Sequence, residues 1–198
     1  MKRFIIILIL SFVFTRAFAT HQRAAEITFQ LLESSTYTYQ ISLVTYTYQA
    51  SLADRPEQII YLGYENKFDT LVRYATDTIP GAQIVTNYYK KNHTFPGPGT
   101  YIVSMTDANR NNGIINVPNS VNTPMYVESM LIISPFLSPP NSSPILLTKP
   151  IDEGCVGIPF VHNPGAFDID GDQLRYSLIP CKTENGINIP GYAMPAAS

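Results

Sequence analysis

Residues 36–43 read Thr36-Tyr37-Thr38-Tyr39-Gln40-Ile41-Ser42-Leu43. In an extended chain Tyr37, Tyr39, Ile41 and Leu43 share one face, and Thr36, Thr38, Gln40 and Ser42 share the other. Successive side chains of a strand point to opposite sides, so this period of two marks a half-buried strand and does not suit an amphipathic helix. At Val44 the apolar parity switches to Val44, Tyr46 and Tyr48. Such a switch predicts a bulge or an edge, where the strand changes the face it buries.

Outward from this strand, residues 25–32, 58–62, 70–75, 83–89, 100–106, 113–117 and 125–133 are each rich in β-branched and aromatic side chains. Turn chemistry separates them: Ile79-Pro80-Gly81, Phe95-Pro96-Gly97-Pro98-Gly99 and Asn109-Arg110-Asn111-Asn112-Gly113. Asn and Gly there supply the positive φ that tight turns need. Many short strands without helical runs between them predict an all-β chain folded as a sandwich.

The chain begins with a positive head, Met1-Lys2-Arg3, and an apolar run over residues 4–14 broken only by Ser11. Arg16 closes the run, and Ala17-Phe18-Ala19 is a small-x-small site of the kind a signal peptidase accepts. A membrane span needs about 20 apolar residues. Residues 1–19 therefore read as a signal peptide cleaved after Ala19, with no transmembrane span in the mature chain that starts at Thr20.

The sequence has 198 residues, 13 basic and 15 acidic, a net charge of −2, with 16 Pro, 13 Tyr and no Trp. Cleavage removes Lys2, Arg3 and Arg16, which leaves ten basic residues against fifteen acidic and a net charge of −5. No basic run exceeds Lys90-Lys91, which excludes nucleic acid as a partner. From Pro150 onward six acids face only Arg175 and Lys182, so most of the negative charge sits in the last quarter.

Residues 134–144 hold four Pro and four Ser and interrupt the strand rhythm, which predicts a semi-rigid linker. The organisation expected is thus a signal peptide over 1–19, a sandwich over 20–133, a linker over 134–144 and a second module over 145–198. An Ig-like sandwich needs roughly 100 residues, so the second module is expected to be incomplete. Either the reading frame stops early or these strands complete themselves on a partner.

His93 to Asp107, His-Thr-Phe-Pro-Gly-Pro-Gly-Thr-Tyr-Ile-Val-Ser-Met-Thr-Asp, resembles the end of a PKD domain, an Ig-like module in which an aromatic-x-x-Pro-Gly-x-Tyr turn leads into a strand. Pro-Gly would fix a corner, with Tyr101, Val103 and Met105 on one face of the strand after it. Leu62-Gly63-Tyr64-Glu65-Asn66 stands where that family carries a Gly-Asp-Gly turn. Asn141-Ser142-Ser143-Pro144 and the stretch from Ala166 to Leu178 resemble the linker and acidic turn of a cadherin-like or bacterial Ig-like repeat. Together with residues 20–30, 53–57 and 162–172, the mature chain resembles the N-terminal part of secreted Bacteroidetes gliding motility-associated C-terminal-domain proteins. The resemblance implies export by the type IX secretion machinery and a PKD-like sandwich followed by a partial cadherin-like module.

Asp168, Asp170 and Asp172 alternate, so an extended backbone would set three carboxylates on one side about 7 Å apart. Two charges at that separation repel by about 0.6 kcal/mol in bulk water and about 2.4 kcal/mol near a protein surface. A calcium ion would relieve this, since it accepts six to eight oxygens in loose geometry, with Glu153 and Asn141 as further candidate ligands. The alternative is a solvated Asp-Gly turn. An exported chain meets an oxidising compartment, so Cys155 and Cys181 are expected to form a disulfide, with two free thiols as the alternative. A bridge would stabilise the fold by about 3–4 kcal/mol.

His21, His93 and His162 are scattered, and the latter two read as turn histidines. There is no G-x-S-x-G elbow, phosphate-binding Gly loop or paired nucleophile and base. The expectation is therefore a non-enzyme: an exported spacer or adhesion module of a larger surface protein, with cell-surface proteins or polysaccharide as partners. The other reading is a carbohydrate-binding module of a secreted polysaccharide-degrading enzyme. Tyr37, Tyr39, Tyr46, Tyr48, Tyr88 and Tyr89 either pack in the core or stack on sugars.

Overall fold

The computed structural model describes residues 22–51, 54–81, 83–136, 140–150, 155 and 157–195. The expected signal peptide, its cleavage site at Ala19 and the candidate ligand Glu153 lie outside the described residues. Among the described residues no helix is long and apolar enough to cross a membrane.

Seven strands form one antiparallel sheet: β1 (Gln22–Glu33), β2 (Thr38–Tyr48), β3 (Glu57–Tyr61), β4 (Phe68–Ile79), β5 (Ile84–Thr94), β6 (Gly99–Asp107) and β7 (Met125–Ile133). Their order is β1-β2-β5-β4-β3-β6-β7. The chain is all-β, and the sheet curls into a sandwich or barrel whose two edge strands, β1 and β7, come to line the same clefts. Its interior is one apolar cluster that includes Ile27, Phe29, Tyr39, Ile41, Leu43, Leu71, Tyr89, Phe95, Val103 and Leu131. Each such side chain contributes about 1.5–3 kcal/mol by leaving water.

The deciding strand alternates as expected, with Tyr39, Ile41 and Leu43 buried and Gln40 and Ser42 half-buried. It begins two residues late, at Thr38, because Tyr37 adopts a left-handed φ of 54° in the β1–β2 turn. The bulge expected at Val44 is absent: β2 pairs with β5 in unbroken register over its whole length. The strand's register shifts relative to β1 lie instead at Gln22/Ala24 and Leu31/Glu33. The parity switch has another cause. From Thr45 onward both faces are covered, since Thr45 is buried inside while Tyr46 is buried outside beside Ile84 and Thr86. The Tyr46 hydroxyl donates to Glu26 Oε1 at 2.7 Å.

The Pro-Gly corner leads into β6 with Tyr101, Val103 and Met105 all buried. The Leu62–Asn66 turn joins β3 to β4, with Gly63, Glu65 and Asn66 at positive φ. Residues 113–117 are not a strand. Gly113 at φ 78° and the left-handed Asn119 turn the chain around, and Ile115 is fully exposed.

Beyond β7 the regular structure is sparse. β8 (Ile145–Leu146) pairs with β9 (Ala166–Phe167), and β10 (Lys182–Glu184) with β11 (Ile187–Asn188). Residues 173–180, which follow the acidic turn, lie in no strand.

Candidate functional site

The richest polar geometry lies on the seam between β1 and β7, and it starts from two serines in the expected linker. Ser142 is buried. The Ser143 N–H donates to Phe29 O at 2.8 Å. Phe29 N–H donates to Ser143 Oγ at 2.6 Å and Leu31 N–H to Ser142 Oγ at 3.2 Å. The serine hydroxyls thus stand where a neighbouring strand would offer carbonyls. Residues 141–144, the end of the expected semi-rigid linker, are therefore bonded to the first sheet.

The acidic turn meets this strap. Ser142 N–H donates to Asp170 Oδ2 at 2.7 Å. Asp168, itself buried, accepts on Oδ1 from the N–H of Asp170 at 2.9 Å and of Asp172 at 3.1 Å. The backbone is not extended here, because Gly171 takes φ 82° and its N–H returns to Asp168 O. Asp168 is buried while Asp170 and Asp172 are exposed, and the three stand around a turn instead of along the extended backbone expected. Asn141 is half-buried beside the strap. Among the described residues no three His, Cys, Asp or Glu side chains gather around one point. Asp168 Oδ1 and Asp170 Oδ2 accept from backbone N–H groups.

Cys155 is exposed and Cys181 half-buried, and the structure leaves both as free thiols. No bond joins Cys155 to Cys181 in this structure, where the sequence leads to the expectation of a disulfide. Cys181 lies beside Tyr192 and Arg110, where burial and then the thiol push the Tyr192 phenol up.

His93 is not in a turn. It lies on β5, where its Nε2 meets the Tyr64 hydroxyl at 2.9 Å and its ring meets Phe95 edge-on at 4.9 Å. Burial holds its pKa below the ordinary histidine value, against the pull of Asp69. Asp69 itself pairs with Lys91. His162 is exposed, and His21 lies outside the described residues.

The opposite pole of the sheet holds a polar cleft of about 250 Å³ lined by Tyr48, Asp54, Arg55, Arg73 and Asn87 among others. Arg73 forks onto Asp54 and also donates to Asn87 Oδ1 at 3.2 Å. Arg55 pairs with buried Asp107 at 3.3 Å, which also accepts from Gln22. Two arginines balanced by two aspartates leave the cleft near neutrality.

No family model, curated protein or solved structure matches the chain.

Of the six tyrosines singled out in the sequence, Tyr39, Tyr46 and Tyr89 are buried and Tyr37, Tyr48 and Tyr88 are half-buried. Tyr74 and Tyr176 are exposed among the described residues; Tyr74 touches Tyr88 and lies under the Lys90 ammonium at 4.6 Å. The sequence reading missed the serine strap, the Tyr64–His93 pair and the Arg55–Asp107 pair. Asn-Ser-Ser-Pro was a visible signal for the first, because Ser and Asn between prolines favour side-chain to backbone bonds. The other two join residues far apart in the chain, which no local pattern reports.

Proposed function

We propose that this chain is a non-catalytic, exported spacer or adhesion module of a larger cell-surface protein, with an Ig-like, PKD-like sandwich as its first unit. Strand order supports the Ig-like reading. With β1 to β7 lettered A to G, the order runs A-B-E-D and then C-F-G, the two sheets of a constant-type Ig sandwich. Tyr101 adds a tyrosine corner: near the start of the sixth strand, its hydroxyl donates to Gly97 O at 2.7 Å.

The observation that carries the spacer reading is the fastening of the segment after β7 along the outside of the sheet. It is bonded at Ser142 and Ser143 to β1, at Lys149 to Asp77 of β4, at Lys182 to Glu128 of β7, and at Ala193 to Asn116. Consecutive units joined this way keep a fixed relative direction, which a spacer requires. Export is tested by N-terminal sequencing of secreted protein, which should begin at Thr20. Calcium enters as a second arm: added to chelator-treated protein, it should raise the melting temperature if it seats on the outer oxygens of Asp168, Asp170 and Asp172.

The carbohydrate-binding alternative is favoured by one feature, the exposed Tyr74 ring with Lys90 and Tyr88 beside it. Pull-down on insoluble polysaccharides separates the two. The spacer reading expects no retention, whereas retention that Tyr74→Ala abolishes would replace it.

A further inference from the structure

The seam between β1 and β7 is the one place where the curled sheet leaves strand edges facing each other without a ladder. An unpaired edge is a template for further strand pairing, and proteins cover such edges. Here the cover is two residues long. Ser143 pairs with Phe29 through its own N–H and its hydroxyl, and Ser142 reaches Leu31 through its hydroxyl. Pro140 and Pro144 flank the pair. Proline has no N–H to donate, so the cover cannot propagate as a strand along the edge.

What holds so short a cover in place lies elsewhere in the chain. The Ser142 N–H points away from β1 and donates to Asp170 Oδ2. Asp170 is presented there by Asp168, whose buried carboxylate gathers the N–H groups of residues 170 and 172. Hydrogen bonds to an ionised acceptor are roughly twice as strong as neutral ones. The reach of Asp170 into the sandwich is felt at Tyr39, whose phenol is pushed up by burial and then by that carboxylate. Beside the clasp, Ile145, Phe167 and Ile169 line a cleft of about 190 Å³ with Phe29 and Ser42, so the β8–β9 hairpin and the β1–β2 surface meet at the same point.

We propose that residues 141–144 are the closing strap of the first sandwich and that the Asp168–Asp172 turn is its clasp, so that closure of the β1–β7 seam and docking of the following segment are one coupled event. The acidic turn then does its work through a hydrogen-bond acceptor at position 170. The proposal rests on the seam geometry; it shares the Ser142 and Ser143 bonds with the spacer reading but requires neither export nor a surface role.

The test uses the full mature chain and amide hydrogen exchange read residue by residue. In Asp170→Ala the amides of Phe29, Leu31, Ser142 and Ser143 should exchange about tenfold faster or more, while the Leu43 and Val103 amides keep their protection. Asp170→Asn keeps an amide oxygen able to accept, so its seam amides should stay within about threefold of the parent. Chelator should leave the seam unchanged in parent and Asn variant alike. Ser143→Ala gives an independent reading: Phe29 alone should lose protection strongly, with the core intact. The proposal is overturned if Asp170→Ala leaves Phe29 and Leu31 protected. It is equally overturned if Asp170→Asn fails as badly as Ala and chelator reproduces the loss, since a bound cation would then be the clasp.

Discussion

Two side chains at the upper end of the sheet show how single groups set stability here. Tyr101 stacks obliquely on Phe95 at 4.6 Å and edge-on to Tyr64 at 5.7 Å, so its ring packs regardless of its hydroxyl. The hydroxyl adds the bond to Gly97 O that ties the Pro-Gly corner to β6. Tyr101→Phe should therefore cost about 0.5–1.5 kcal/mol, a fall in melting temperature of about 2–4 °C per kcal/mol in a chain of this size, measured by thermal denaturation. His93 governs a pH response. Burial holds its native pKa below the ordinary value, which is about 6.5 in an unfolded chain. Above that pH it is neutral in both states. As pH falls below it, the unfolded chain takes up a proton that the native chain refuses, so stability declines until the native pKa is reached. Tyr64, Lys67, Asp69 and Lys91 are the polar groups around the ring. His93→Gln should flatten the loss of urea midpoint between pH 7 and pH 5, and an unchanged slope would assign that loss to other groups.

At the scale of elements, the β3–β4 corner is the tightest point of the sheet. A Cβ on Gly63 would lie 2.6 Å from Ile102 N and 3.0 Å from the Tyr101 backbone, and the residue sits at φ 85°. Gly63→Ala combines a left-handed strain of about 1–3 kcal/mol with a backbone clash, and should lower the urea midpoint more than Tyr101→Phe does. The same comparison of elements explains which parts of this fold were legible in the sequence. β2 was readable because one face is dry and the other wet over Tyr39 to Leu43, and alternation reports that contrast directly. Its parity switch was visible too, but its cause was not: Tyr46 is buried on the outer face, where its hydroxyl reaches Glu26 of β1, a partner that no local pattern reports. Residues 113–117 carry strand-like side chains, yet Gly113 and Asn119 turn the backbone, and its contact with Ala193 at Asn116 does not extend into a ladder. The acidic turn was found by spacing alone. Spacing cannot tell whether carboxylates will face a cation or backbone N–H groups, since that depends on Gly171 bending the chain toward Ser142. The serine strap has no periodicity, because its pairing uses hydroxyl oxygens.

For the whole molecule the question is how a segment with so little regular structure stays attached to the sheet. Exposed ion pairs such as Lys149–Asp77 each contribute only about 0–1 kcal/mol. The attachment is therefore distributed, and its far end rests on few groups. Ala193 N–H donates to Asn116 O at 3.2 Å, and Asn116 Nδ2 donates to Ala193 O at 3.1 Å. Nearby, Arg110 donates to Lys182 O at 3.3 Å and Lys182 pairs with Glu128. Burial alone would raise the Glu128 pKa, but Lys182 and Tyr126 together hold it below the ordinary carboxylate value, so this contact weakens as pH falls through that range. Asn116→Ala removes the side-chain half of the far attachment and leaves Asn116 O available. The expected outcome is faster proteolysis after residue 180 with an unchanged melting temperature for the sheet, because Asn116 and Ala193 lie outside the sheet's apolar cluster. Combined with Glu128→Gln, which weakens the Lys182 pairing, the cleavage should accelerate further while Leu43 and Val103 stay protected from exchange. Cleavage that accelerates only when those core amides also open would mean that the wrap and the sheet unfold as one unit.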